Sequence, residues 1–359
     1  MIDFRYHLVS LISVFLALAV GIVLGAGPLK EAIGDQLTGQ VESLRADKEQ
    51  LRADLDEAAA DLSQRDAFLD ATAPSLVAGS ISGRRVAIVE LDPAGDETVA
   101  AISDRVAAGG GSVTARVKLA DTWTSEGQAK FRQSLAANLA QYLPETSDGS
   151  VDADLATALV LSLVQVDANQ GDAYSPDAVV LQGLLAAGDL VSYVQEDAAP
   201  ADMLVLLTSE DEPASDETPS SGTQAETTRL IQEQLAAAAV SGSEAAVVVA
   251  AGTSTTLVDG IASGDIPVST VADGATTTGQ ITTVLTLAAQ ASGTVGHYGP
   301  QAGATAVAPP VVRLAEVDRT ARTVVVQQPD GDADGDADGD ADGDADGDDE
   351  NAADGGDDA

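Results

Sequence analysis

The chain has 359 residues, with 58 acidic against 17 basic side chains, a formal net charge of −41, and no cysteine. That balance leaves no basic patch to neutralise phosphates, which argues against nucleic acid as a partner, and the lack of cysteine removes disulfides and thiolate metal sites. The length suffices for one sizeable domain with appendages.

Residues Leu8 to Leu29, LVSLISVFLALAVGIVLGAGPL, carry no charge. About twenty apolar residues cross a hydrocarbon layer of roughly 30 Å as a helix, because a helix bonds its own backbone groups. The run exceeds the roughly 7–15 residues of a signal-peptide core, and Leu24-Gly25-Ala26-Gly27-Pro28 makes a poor cleavage site. Residues 1–29 therefore read as a short head and a retained membrane anchor, against a cleaved signal or a buried core helix. Arg5 and the amino group precede the span, with Asp3, while Lys30, Glu31 and Asp35 follow it. Positive charge stays on the cytoplasmic side, so the expectation is a single-pass cell-membrane protein with its N-terminus inside and its bulk outside. Gly21 and Gly25, extended back by Ala17, form a small-residue ridge on which two such helices pack closely. The competing reading is that glycine is simply frequent in membrane helices.

From Lys30 to about residue 73 the pattern is amphipathic. Leu37, Val41, Leu44, Lys48, Leu51, Leu55, Ala58 and Leu62 alternate spacings of four and three, the seam of a heptad repeat. Lys48, at an a-type position, costs stability and helps fix register or strand number. The expectation is a parallel coiled-coil stalk, on the order of 60 Å long at 1.5 Å per residue, joining two or more copies; the alternative is a single helix packed by this stripe on its own domain. Pro74 and the small polar run Ala78 to Gly83 are expected to end it.

Arg85 to Leu91 reads as a buried strand, Glu97 to Ala108 as a helix stopped by Gly109-Gly110-Gly111, and Val113 to Leu119 as a second strand. Helical material follows at about 126–142, 155–166 and 178–187, then a strand at Ala201–Leu207. An acidic loop, Glu210–Gly222, precedes a helix near 225–239. A strand at 245–250, a helix at 253–262, a strand near 268–271 and a helix near 279–291 complete the series. Strands alternating with helices predict an α/β fold, a doubly wound (Rossmann-like), mainly parallel sheet over residues 83–312. Residues 313–329 read as an edge strand or linker, and 330–359, a period-four Asp/Gly/Ala repeat, as a disordered tail.

Asp330-x-Asp332-x-Asp334-Gly335 matches the first half of a calcium loop, but Ala337 and Ala341 stand where an apolar residue and a bidentate glutamate belong. Weak, nonspecific divalent-cation accumulation is the better expectation for the tail. The chain holds two histidines, His7 and His297, and two methionines, so no metal site of ordinary construction is expected and no cofactor is implied. Gly296-His297-Tyr298-Gly299 reads as a structural corner, with a ligand or partner contact as the alternative. The turn Asp92 to Asp96 lacks a GxGxxG or a P-loop lysine, and no HExxH, GxSxG or triad occurs. The reading is a non-enzyme.

The opening MIDFRYHLVSLISVFLALAVGIVLGAGPL, the stalk, the Arg85–Leu91 strand and the Gly296–Gly299 corner together resemble the actinobacterial copper-transporter family MctB, also called SteB, across about residues 1–312. The resemblance implies copper efflux through a pore in the mycobacterial outer membrane, with copper entering only on that ground. It equally implies a cell-envelope role beside a SteA-like protein in cell division and cell-wall integrity. The residues themselves point to a dimeric, stalked envelope scaffold, since one span and helix-separated strands do not make a barrel. A third reading is a small-ligand sensor with a pocket at the sheet's topological switch point.

Overall fold

The computed structural model describes residues 4–26, 28–144, 149–194, 199–209, 219–253 and 255–317. The chain divides into two units, Met1–Arg322 and Thr323–Ala359; the second, with the acidic repeat and its half calcium loop, lies outside the described residues.

Helix α1 spans Phe4–Ala26. Its stretch Phe4–Leu24, 21 residues with a mean hydropathy of 2.6, is long and apolar enough to cross a membrane, and none of it is buried within the protein. Helix α2, Pro28–Val77, follows as 50 residues of continuous helix. The stalk was expected to stop at Pro74, but the helix passes through it. A proline lacks the N–H that would bond four residues back, yet Ala73 and Val77, either side of it, are fully buried. That apolar burial holds the last turn in helical form against the missing bond.

The α/β region then runs β1 (Arg85–Glu90), α3 (Asp96–Ala108), β2 (Ser112–Leu119), α4 (Ala129–Leu139), α5 (Val151–Val164), α6 (Pro176–Ala187) and β3 (Val191–Val194). It continues with β4 (Met203–Thr208), α7 (Pro219–Gly242), β5 (Ala245–Ala250), α8 (Thr256–Ser263), β6 (Ser269–Val271), α9 (Thr277–Ala291) and β7 (His297–Tyr298). These strands form one open sheet in the order β3-β2-β1-β4-β5-β6-β7. Every neighbouring pair is parallel except β2 with β3, which is antiparallel.

Side chains alternate across a strand, and β1 divides accordingly. Ala87 and Val89 join the cluster containing Leu159, Leu163, Leu204, Leu206 and Val248. Val86 and Ile88 join the opposite cluster with Ile102, Val205, Leu207, Val284 and Leu287. The strands are therefore apolar on both faces, as a helix-covered parallel sheet requires. Ala73 and Val77 of α2 belong to the second cluster, with Leu69 packed against it, and Asp70 bonds Arg105 on α3 and Thr277 on α9. The end of the stalk is thus part of the domain's second helical layer.

Two strands lay beyond the sequence reading. Val191–Val194 was too short to signal itself, and among the described residues it pairs only with β2. His297–Tyr298 was read as a corner, yet it adds a short parallel strand to β6. Conversely, the segment 313–329, read as an edge strand or linker, takes no strand form as far as it is described, to residue 317. It crosses the stalk junction as a strap instead. Leu314 N–H donates to the Ser80 carbonyl at 3.2 Å, Arg313 Nε to that of Ala78 at 3.1 Å, and Val312 and Leu314 pack on the second cluster.

Candidate functional site

In an open parallel sheet ligands sit beyond the strand ends where the winding reverses. Here β2 lies on one side of β1 and β4 on the other, so the reversal falls between the ends of β1 and β4. The turn after β1 turns its carboxylate inward: Asp92 Oδ2 accepts from Thr208 Oγ1 at 3.0 Å and from Gln232 Nε2 at 3.3 Å. Thr208 and Gln232 are both buried. A carboxylate in this position repels phosphate, and Asp92 bonds across to β4 and α7.

Beside it Glu90, at 2 % exposure, receives Arg116 Nε at 2.5 Å. Arg116 Nη2 donates to Asp96 Oδ1 at 2.5 Å, and Lys118 Nζ lies 3.4 Å from the same oxygen. The hydrogen bond from Arg116, followed by the charge of Lys118, holds the Asp96 carboxyl below its ordinary range. Glu90 in turn raises the Arg116 pKa. Among the described residues Glu90 Oε2 has no hydrogen-bond partner, a polar atom that the apolar strand pattern gave no reason to expect inside. A shallow cleft of about 330 Å³ runs past Asp96, Ser103, Thr114, Arg116 and Val194. Two carboxylates and two cations neutralise one another there, so the cluster ties α3 to β2 and selects no anion by net charge.

The Gly296–Gly299 motif closes the other edge of the sheet. A Cβ on Gly296 would come within 2.5 Å of the Tyr298 hydroxyl, and one on Gly299, at φ +140°, within 2.8 Å of Ala272 Cβ. Tyr298 is buried. The two glycines are thus required by packing and by backbone form. His297 Nδ1 lies 3.0 Å from Thr270 Oγ1, and burial lowers the imidazole pKa, favouring the neutral ring. A cleft of about 240 Å³ beside it is lined by Val258, Asp259, His297 and Gln301, among others. Among the described residues no group of three or more His, Cys, Asp or Glu side chains could hold a metal ion.

Along the stalk the seam is open. Leu37, Leu44, Leu51, Leu55 and Leu62 are 56–68 % exposed, Val41 44 %, and Lys48 and Ala58 are exposed as well. In α1, Ala17 and Gly21 lie on an exposed surface, and a Cβ on Gly21 would meet nothing within 4 Å. Gly25 is helical, and its surroundings lie outside the described residues.

The sequence reading missed the buried Arg84. Its guanidinium receives no attention from periodicity, yet Nε lies 2.9 Å from Glu244 Oε2, Nη2 2.7 Å from Oε1, and Nη1 donates to the Ala315 carbonyl at 2.7 Å. The available signal was an arginine pair, Arg84-Arg85, opening a strand. Arg85 points instead to Asp172 at 2.9 Å.

Comparison with known proteins completes the picture. Residues 1–309 match the family model described as "Copper transport outer membrane protein, MctB". The chain belongs to the MctB family. The proteins named Copper transporter MctB from Mycobacterium tuberculosis and Mycobacterium bovis are each 28 % identical over 318 residues, covering 86 % of this chain and 99 % of the relative. The Mycobacterium leprae protein of that name is 44 % identical over 119 residues, 33 % of this chain and 38 % of its own length. The MctB match takes in the apolar helix, the stalk and the α/β domain through Gly299; the strap from residue 310 and the acidic repeat lie beyond it.

Proposed function

We propose that this protein is a membrane-anchored, dimeric component of the cell envelope that acts in copper export. One observation carries the reading: the family match spans residues 1–309, so it includes the anchor, the stalk and the domain together. The relatives matched across 86 % of the chain are named copper transporters. In this reading α1 holds the chain in the cell membrane with the N-terminus cytoplasmic, and the stalk and span join two copies. Copper enters this reading through the relatives' names; among the described residues no group of three or more His, Cys, Asp or Glu side chains could hold a metal ion.

A second reading is favoured by a specific observation. The described sheet is open, with β3 and β7 as its ends, whereas an outer-membrane pore is a closed barrel. A stalked scaffold that partners a SteA-like protein in cell division or cell-wall integrity fits that architecture. A ligand sensor is less well supported, because Asp92 already accepts from both Thr208 and Gln232 at the strand reversal.

Deletion in the native organism separates the two. Copper export predicts copper hypersensitivity restored by the full chain, with normal septa. A scaffold predicts shape or septum defects at unchanged copper tolerance. Because the chain has no cysteine, Ile2→Cys and a cysteine in the 210–222 segment report topology in intact cells. Labelling of the second alone supports the proposed orientation, and labelling of the first overturns it.

A further inference from the structure

We infer that the exposed stalk seam takes a second copy of this chain in parallel and in register, and that the pairing ends near Asp61, where each helix passes to its own domain. This rests on the dimeric, parallel reading above and adds its register and end point. The argument starts from the spacing. With Val41, Lys48, Leu55 and Leu62 at a positions and Leu37, Leu44, Leu51 and Ala58 at d positions, the residues flanking the seam are determined. The g flank is Gln40, Asp47, Asp54 and Asp61; the e flank is Thr38, Arg45, Arg52 and Ala59. All these side chains are exposed in the single chain.

Flanking charges set partner choice and orientation in a coiled coil. A parallel pair sets each g residue against the e residue five places later on its partner. That matches Asp47 with Arg52 and Gln40 with Arg45, twice over by symmetry, and leaves Asp54 against the neutral Ala59. An antiparallel pair sets g against g and e against e, which brings aspartates together on one side and arginines on the other. A shift by one heptad keeps two matches on one flank, Asp47 with Arg45 and Asp54 with Arg52, but on the other sets Asp47 against Ala59 and Asp54 against Asp66, and it places Lys48 against Val41 and Leu55. In register, each Lys48 reaches the Asp47 that precedes its counterpart.

The next heptad reverses the logic. Arg65 falls at d, and Asp61 would face Asp66, a repulsive pair. Four residues on, the helix turns an adjoining stripe to its own domain: Leu69 is half-buried and Ala73 and Val77 are fully buried against α3 and α9 of the same chain, while Leu76, the next a position, is 42 % exposed. The seam thus serves a partner helix up to Leu62, and the stripe beside it serves the chain's own domain from Leu69.

Single cysteines in the full-length, detergent-solubilised protein test this directly. Leu37→Cys, Leu44→Cys and Leu51→Cys should each give a disulfide-linked dimer under mild oxidation, and Leu69→Cys should not. An antiparallel pair brings at most one such position against itself, so cross-linking at only one of the three overturns the proposal while leaving a dimer standing. A dimer by mass with no cross-link at any of them places the interface elsewhere. A monomer overturns both the pairing and the dimeric reading, while copper tolerance of the deletion strain tests the export reading independently. Arg52→Asp should weaken association by roughly fivefold or more, and Asp47→Arg combined with Arg52→Asp should restore it. A double variant no better than the single one overturns the assigned register.

Discussion

Arg84 shows how one side chain ties distant parts of the chain. It stands at the entry to β1, bonds Glu244 at the entry to β5, and holds the strap through the Ala315 carbonyl. Its side chain is 9 % exposed and that of Glu244 36 %, so the pair is only partly screened. Arg84→Ala should lower stability by about 2 kcal/mol, seen as a midpoint about 5 °C lower in thermal unfolding. His297 supplies a pH test. Burial depresses its folded pKa below the ordinary value near 6.5, so protonation favours the unfolded chain. Its contribution is fully present above pH ~6.5 and is lost as pH falls through the folded value. The groups facing it are Thr270 on β6 and Asp259 on α8. His297→Gln should flatten the fall in thermal midpoint between about pH 7 and pH 5, and a slope unchanged by the substitution would assign it to other groups. None of this was legible in the sequence beyond the glycines around His297, because the partners lie 27 and 38 residues away.

At the scale of elements, α9 illustrates a helix whose start is dictated by its neighbour. Gly279 lies where an added Cβ would stand 2.0 Å from the Asp273 carbonyl oxygen, and Asp273 itself has φ 57°. Thr276 caps the helix by accepting from Gly279 N–H at 3.1 Å. Gly279→Ala should therefore cost about 3 kcal/mol and lower the denaturant midpoint without altering the slope, whereas Gly39→Ala, in open space on the stalk, should be neutral or slightly stabilising. Most elements could be read from pattern alone: β1, β4 and β5 as apolar runs, β2 from alternation, α3 and α9 from helical spacing. The strands that escaped are β3 and β7, of four and two residues. Their form is imposed by the neighbouring strand, which offers hydrogen bonds that a short segment could not gain alone.

For the molecule as a whole, the clusters that hold the sheet are built, among the described residues, from positions up to Leu314, and the unit boundary falls at Arg322. The Asp/Gly/Ala repeat beyond it offers nothing apolar to bury. Truncation after Arg322 should leave the thermal midpoint within about 1 °C, and a larger loss would show that the repeat supports the domain. The removal cuts the net charge sharply, so any effect should instead appear in solubility or in divalent-cation accumulation.

What the sequence determined by itself is whatever depends on local pattern: an uncharged run long enough for a bilayer, a heptad spacing, and strands alternating with helices. These follow from periodicity, which needs no knowledge of distant residues. Only the tertiary structure decided which carboxylates are neutralised, where α2 meets the domain, and what fills the strand reversal. Asp92 and Thr208, Glu90 and Arg116, and Asp70 and Arg105 are far apart in the chain and meet only once the sheet order is set. The passage through Pro74 has the same origin. Burial of Ala73 and Val77 outweighs a local signal to stop, and burial belongs to the folded molecule.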